Sequence, residues 1–258
     1  MTTDTLLPPP EPAERISPLL KPESKLAATT ATGPRWEAAG KERLRRAVRH
    51  LAKPLAEAIT RDANEGDTRL LVTDLLCDGL GYDKYGDLTT EYQVKGEFAD
   101  YGVRIDKQLV AFIEVKRAAT KLGTKHLRQI ELYAVNEGVE WLVLTNGAHW
   151  QVYHLSPGMP VVLDLAFDVD LLADGSTFGQ KVDKLFYLSR DSLKRRQIDD
   201  LWRLQAATSP KKLVESLLSA PVLTALHREL WRRTHERVDE KELTRLLRDS
   251  VLRPEALT

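Results

Sequence analysis

Acidic and basic side chains balance at 38 each in this chain of 258 residues, so net charge names no polyanionic partner and any attraction for one must come from local patches. The single cysteine, Cys77, excludes an intramolecular disulfide and the Cys/His spacing of a structural zinc site. No apolar run approaches the length of a bilayer, and the first residues lack a basic region followed by an apolar core, so a cytoplasmic protein is expected.

Pro8, Pro9, Pro10, Pro12, Pro18, Pro22 and Pro34 fall in the first stretch among Thr, Ala and Glu, and residues 1–35 read as a disordered, Pro-rich tail. Leu44, Ala47, Val48 and Leu51 then recur at helical spacing from Glu37 to Lys53, with Pro54 starting or kinking the next turn before Leu55, Ala58 and Ile59. Leu71, Val72, Leu75 and Leu76 predict a second helix over Asp67 to Leu80, stopped by Gly81. The period changes to two after that. Strands are expected at Thr89 to Lys95, Phe98 to Arg104 and Leu109 to Lys116, then a helix at Thr124 to Glu137. Strands at Glu140 to Thr145 and His149 to Leu155 follow, with Asn146-Gly147 supplying left-handed dihedrals for a tight hairpin, and Val161 to Phe167 adds one more. From about Gly179 the pattern is helical, with breaks at Ser209-Pro210, Pro221 and Val238-Asp239. The expected fold class is α/β, with a domain over 36–170 and a helical C-terminal extension over 171–258.

Ionisable groups set into the apolar strands carry the functional signal. The run Leu109-Val110-Ala111-Phe112-Ile113-Glu114-Val115-Lys116 is the kind that lies in the middle of a sheet, and period two sends Glu114 and Lys116 to one face. Folding back through Ile105-Asp106-Lys107-Gln108 brings Asp100 alongside Glu114. Two carboxylates and an ammonium then converge, an oxygen-rich set suited to a hard divalent cation that activates a bound water. A structural ion pair of Glu114 with Lys116 is the plainer account, although burying such a pair gains little over apolar residues. Between Val115 and Ile130 the chain has no acid and carries Lys116, Arg117, Lys121, Lys125 and Arg128, an excess suited to phosphate contact. A second basic run, Lys41, Arg43, Arg45, Arg46, Arg49 and Lys53, fits a solvated helix face as well as it fits DNA.

The order helix, strand, Asp100, hairpin, Glu114-Val115-Lys116, then a helix with Gln129 and Tyr133 resembles the PD-(D/E)XK nuclease superfamily. Glu65-Gly66-Asp67-Thr68-Arg69, Leu75-Leu76, Leu80-Gly81-Tyr82, Phe112-Ile113-Glu114-Val115-Lys116-Arg117 and Leu144-Thr145-Asn146-Gly147 with Trp150, Val152 and Tyr153 narrow the resemblance. They are similar to the N-terminal domain of type I restriction enzyme R subunits, over about Leu44 to Leu155. The resemblance implies a restriction-endonuclease-like mixed sheet flanked by helices. It also implies Mg²⁺, with Mn²⁺ as a substitute, held by Asp100, Glu114 and the Val115 carbonyl, with Lys116 orienting or helping to deprotonate the attacking water. Gln129 and Tyr133 would hold the nucleic-acid backbone, and Glu65 would stand as an accessory acid. Ala99 occupies the place of the motif's proline. No Gly-x-x-x-x-Gly-Lys-Ser/Thr phosphate loop occurs, so the likeness is to a standalone form without the motor. Magnesium-dependent hydrolysis of DNA in restriction or anti-phage defence is the expected function, and a non-cleaving nucleic-acid-binding or assembly module of a defence complex is the alternative. Partner proteins of such a system and a homodimer both stay open.

Overall fold

An unbroken apolar stripe draws Arg35–Thr60 into one helix, α1, which buries Leu44, Ala47, Val48, Leu51, Leu55 and Ala58. Pro54 lies inside it without ending it. An interior proline forfeits one helical hydrogen bond and is costly, but Leu55 and Ala58 beyond it are as deeply buried as Leu51 before it, and that burial carries the helix through. The computed structural model describes residues 34–94, 97–156, 158 and 161–254, with the side chains of Val94, Glu97, Gln129 and Tyr133 outside the description. The tail expected over 1–35 lies outside it up to Gly33.

Helix α2, Glu65–Asp74, begins two residues before the sequence expectation because Asn64 caps it, its side-chain oxygen accepting from the Asp67 N–H at 2.8 Å. A π-helical turn, Leu75–Gly79, follows, and the chain turns away at Gly81, whose φ of +79° suits glycine. The strands are β1, Leu88–Val94; β2, Glu97–Ile105; β3, Gln108–Val115; β4, Trp141–Thr145; β5, His149–Ser156; and β6, Val162–Asp170. They form one sheet in sequence order, antiparallel except where β3 lies parallel to β4. That exception requires a crossover, and α3, Arg128–Glu137, supplies it after a single 3₁₀ turn, Thr124–His126. At the β2–β3 turn Asp106 and Lys107 both have positive φ, as a two-residue hairpin demands. At the β4–β5 turn the left-handed dihedral falls on Gly147 alone. Asn146 instead uses its side chain, accepting from the His149 N–H and donating to the Thr120 carbonyl.

The sheet is covered on both faces. On one, α1 and α2 pack with Tyr101, Val103, Ile113, Val115, Val143, Trp150 and Val152; on the other, Leu127, Ile130 and Ala134 of the α3 segment meet Phe112, Leu142, Leu144 and Tyr153. The later helices are α4, Phe178–Phe186; α5, Arg190–Lys194; α6, Gln197–Ala207; α7, Pro210–Leu217; α8, Ala220–Thr234; and α9, Glu240–Leu246. Val182, Leu185, Phe186, Leu193 and Ile198 of α4 to α6 join the α1 side of the core. Trp141 Nε1 donates to Asp199 Oδ1 at 2.9 Å, and His154 stacks on Trp202, fastening α6 to the sheet. By contrast α7 to α9 bury little, and Leu213, Leu217, Trp231 and Leu246 stay exposed. No described helix is long and apolar enough to cross a membrane.

Leu185 is fully buried between α4 and the sheet side of α1. Leu185→Ala is expected to cost about 2–5 kcal/mol, read as a lower urea midpoint with unchanged slope.

Candidate active site

Tyr101 pairs with Ile113 across β2 and β3, and the neighbours of that pair, Asp100 and Glu114, lie next to it where the ladder ends. The Val115 N–H donates to Asp100 Oδ2 at 2.7 Å, and Lys116 Nζ donates to Glu114 Oε1 at 2.6 Å. Only 17 % of the Asp100 side chain and 13 % of Glu114 reach solvent. Asp100, Glu114, Val115 and Lys116 are therefore brought together at one strand end.

Helix α2 adds two charges. Glu65 Oε1 stands 3.8 Å from Lys116 Nζ, and Arg69, one turn along, places Nη1 3.2 Å from Asp100 Oδ1 and 3.7 Å from Glu91 Oε1. Sequence reasoning passed over Arg69. Its (i, i+4) spacing from Glu65 was the available signal, but that spacing alone indicates an intrahelical pair. In the fold the two residues pair instead with opposite charges on the strands.

The α2 position follows from local packing. Ala58 of α1, Ala63 before α2 and Ala118 after Lys116 form a small cluster, and the Ala118 N–H donates to the Ala63 carbonyl at 3.2 Å. Small side chains let these segments approach closely. Gly147 completes the fit from below, since a Cβ there would lie 2.9 Å from Leu55 Cδ2.

Burial raises the carboxyl of Asp100 above the usual range, against the Val115 N–H, Arg69 and Lys116, which favour its charged form. Glu114 is likewise pushed up by burial, opposed by the Lys116 hydrogen bond and reinforced by the charge on Asp100. For Lys116, burial acts to lower the ammonium, yet the hydrogen bond to Glu114 and the charges of Glu114, Glu65 and Asp100 outweigh it and hold it protonated. His126, at the foot of α3, is held neutral by burial together with Lys125 and Lys116.

Glu65, Asp100 and Glu114 face only Arg69 and Lys116, which leaves one negative charge uncompensated before Glu91 is added. Two carboxylates with a neighbouring carbonyl suit Mg²⁺, which takes one or two protein carboxylates and keeps waters and substrate oxygens for the rest. No group of three or more His, Cys, Asp or Glu side chains is gathered for a metal among the described residues. The donors that Asp100, Glu114 and the Val115 carbonyl offer are all oxygens, the kind that Mg²⁺ takes.

Lys121, Lys125 and Arg128 are exposed along the segment from β3 into α3, while Arg117 pairs with Asp62. Gln129 and Tyr133 stand four apart in the backbone of α3; their side chains lie outside the description. Much of the α1 basic run is engaged internally. Lys41 pairs with Glu37 and Asp183, Arg43 donates to the Gly79 carbonyl, and Arg49 covers the Phe178 ring.

Asp100→Asn removes a desolvated charge while leaving an oxygen to accept the Val115 N–H. Without metal at neutral pH this variant is expected to gain on the order of 1 kcal/mol, about 2–4 °C in Tm. The sign follows from linkage: a carboxyl whose pKa is raised by folding destabilises the fold once pH exceeds that pKa, and the penalty vanishes as pH falls below the unfolded value. The gain should accordingly shrink on acidification in a thermal-melt series.

No curated protein and no solved structure matches the chain. Residues 64–161, the span from the α2 cap to the start of β6 that contains Glu65, Arg69, Asp100, Glu114 and Lys116, match the family model of the type I restriction enzyme R protein N terminus.

Proposed function

We propose that this chain is a magnesium-dependent nuclease that hydrolyses DNA phosphodiesters in restriction or anti-phage defence, on a core of the PD-(D/E)XK type. The observation that carries the proposal is the incompletely neutralised pair of buried carboxylates, Asp100 and Glu114, with a protonated lysine beside it. Stability does not account for such a cluster, because burying it costs more than apolar side chains of similar size would. The match to the restriction enzyme family supports the same reading.

Asp100 and Glu114 would hold Mg²⁺, with the Val115 carbonyl as a further ligand, and the ion would supply an activated water and a polarised phosphoryl oxygen there. Lys116 acts as a cation and donor. Held protonated by Glu114 and Glu65, it orients the attacking water and offsets charge that builds on the phosphate, and it does not serve as the base. Glu65 fixes the ammonium from the α2 side. Arg117, Lys121, Lys125 and Arg128 supply sequence-independent contacts to the DNA backbone beside the acids, with Gln129 and Tyr133 holding the strand.

The pairing of Asp100 with Arg69 and of Glu114 with Lys116, which gives both carboxylates a cation without any metal, favours a second reading, a non-cleaving nucleic-acid-binding or assembly module of a defence complex. Salt-sensitive DNA binding without any metal-dependent cutting would establish that one instead.

Cleavage of plasmid and linear DNA with Mg²⁺ or Mn²⁺ separates the two. Lys116→Ala is expected to lower cutting by about 10²- to 10³-fold and to leave DNA affinity in Ca²⁺ nearly unchanged; equal cutting by variant and wild type refutes the lysine's role. With Mg²⁺ limiting, cutting should rise with pH through a range above that of ordinary carboxyls, because Asp100 and Glu114 bind the ion only when ionised.

A further inference from the structure

Arg69 occupies ground that a metal-loaded site would need. We infer that Arg69 is the resident counter-cation of Asp100, that a divalent ion displaces its guanidinium, and that the freed guanidinium takes a backbone phosphate of nucleic acid lying in the groove between α2 and β1. The inference rests on the nuclease reading above and assigns a positioning residue to it.

Three observations support the exchange. First, Arg69 Nη1 is divided between two carboxylates, 3.2 Å from Asp100 and 3.7 Å from Glu91, so one partner is already in place when the other is taken. Glu91 reaches that place from a left-handed backbone, φ 50°, an unfavourable conformation for a non-glycine residue and one that recurs at functional sites. Second, the helix beneath the guanidinium is held still. The Arg69 carbonyl accepts from Tyr101 Oη at 3.0 Å and from Thr73 Oγ1 at 2.7 Å, so the side chain can swing without moving α2. Third, there is room for it. A groove of about 700 Å³, lined by Arg69, Leu70, Thr73, Lys84, Tyr85 and Tyr101 among others, opens directly beside the guanidinium, large enough for a nucleotide.

Tyr85 and Lys84 suit that occupant. Tyr85 is 89 % exposed, yet its turn is braced: the Asp83 carboxylate accepts from the Tyr85 and Gly86 amides, and Asp87 Oδ2 accepts from Arg190 Nε at 2.6 Å. An exposed aromatic ring on a braced turn, next in the chain to a lysine that lines the same groove, is a stacking surface for a base with a contact for its phosphate. Asp74 and Glu91 also line the groove, where Arg69 pairs with Glu91. The planar fork of Arg69 fits two phosphate oxygens, and its charge persists at every working pH.

Exchange makes metal and DNA binding mutually supportive, and this separates it from a structural role. Mn²⁺ alone is titrated by calorimetry at about pH 8, far above the reference range of carboxyls, and a short DNA duplex is titrated in EDTA and in Ca²⁺. Arg69→Gln is expected to bind Mn²⁺ on the order of fivefold more tightly, since a competing cation is gone, and to bind the duplex in Ca²⁺ on the order of tenfold more weakly, with little change in EDTA. Arg69→Lys, which keeps the charge and the fold but lacks the fork, should match wild type toward Mn²⁺ and fall between the two on DNA. Weaker binding of both ligands by Arg69→Gln, or no change in either, overturns the inference. Failure of wild type to bind Mn²⁺ overturns the nuclease reading along with it, whereas wild-type Mn²⁺ binding with an indifferent Arg69→Gln removes only the role of Arg69.

Discussion

Everything at this site depends on α2 facing the ends of β2 and β3 with charges of the opposite order. The strands present Asp100, Glu114 and Lys116, and the helix answers with Glu65 at the lysine and Arg69 at the aspartate. Carboxylates this well shielded are expensive to keep ionised, and removing Lys116 would leave Glu114 buried without its hydrogen-bonded cation. The helix does not fully neutralise the strands, however, and the remaining negative charge is what the proposed metal ion would offset.

That arrangement is set by packing well away from the charges. Asn64 starts α2 at a fixed residue, and the alanines at 58, 63 and 118 bring the loop before α2 against the loop after β3. A longer side chain at either loop alanine would push α2 outward, and the distances from Glu65 to Lys116 and from Arg69 to Asp100 would open together. The precision of the site thus resides in a contact of small apolar groups that carry no chemistry. Gly147 has a similar part, because it lets the β4–β5 turn pass beneath Leu55 and Thr68.

The strands were legible in the sequence because period two is a local signal, and each expected strand falls within a residue or a few of its observed bounds. Asp100, Glu114 and Lys116 were legible for the same reason: charges inside an apolar run stand out from their neighbours. Arg69 did not stand out. It lies in a helix where charge is ordinary, and its partner Asp100 is 31 residues away, so only the folded pairing distinguishes it from the chain's other arginines. At Pro54 the apolar stripe that continues through Leu55 and Ala58 is the signal that counts, since the local cost of proline is overridden by burial on both sides of it. The closing helices showed their apolar stripes plainly, but a stripe does not say what it packs against. Val182, Leu185 and Ile198 turn to the sheet, while Leu213, Leu217 and Leu246 remain exposed.

The boundaries of the family match bear on how the site is supported. Residues 64–161 contain Glu65, Arg69, Asp100, Glu114 and Lys116, yet the sheet face beneath those charges is covered in part by residues outside that span. Leu44, Val48, Leu51 and Leu55 come from α1, and Val182, Leu185 and Phe186 from α4. Without α1 and α4 that face would keep only the cover that α2 and the turn after it supply through Val72, Leu75, Leu76 and Leu80, and part of its apolar surface would meet water. The stretch that carries the charged cluster and part of the cover it folds under are therefore distinct segments of one chain. The first has to place a handful of charges within a few ångströms of one another, whereas the second need only fill volume against Val143, Trp150 and Val152, a requirement that many sequences can meet.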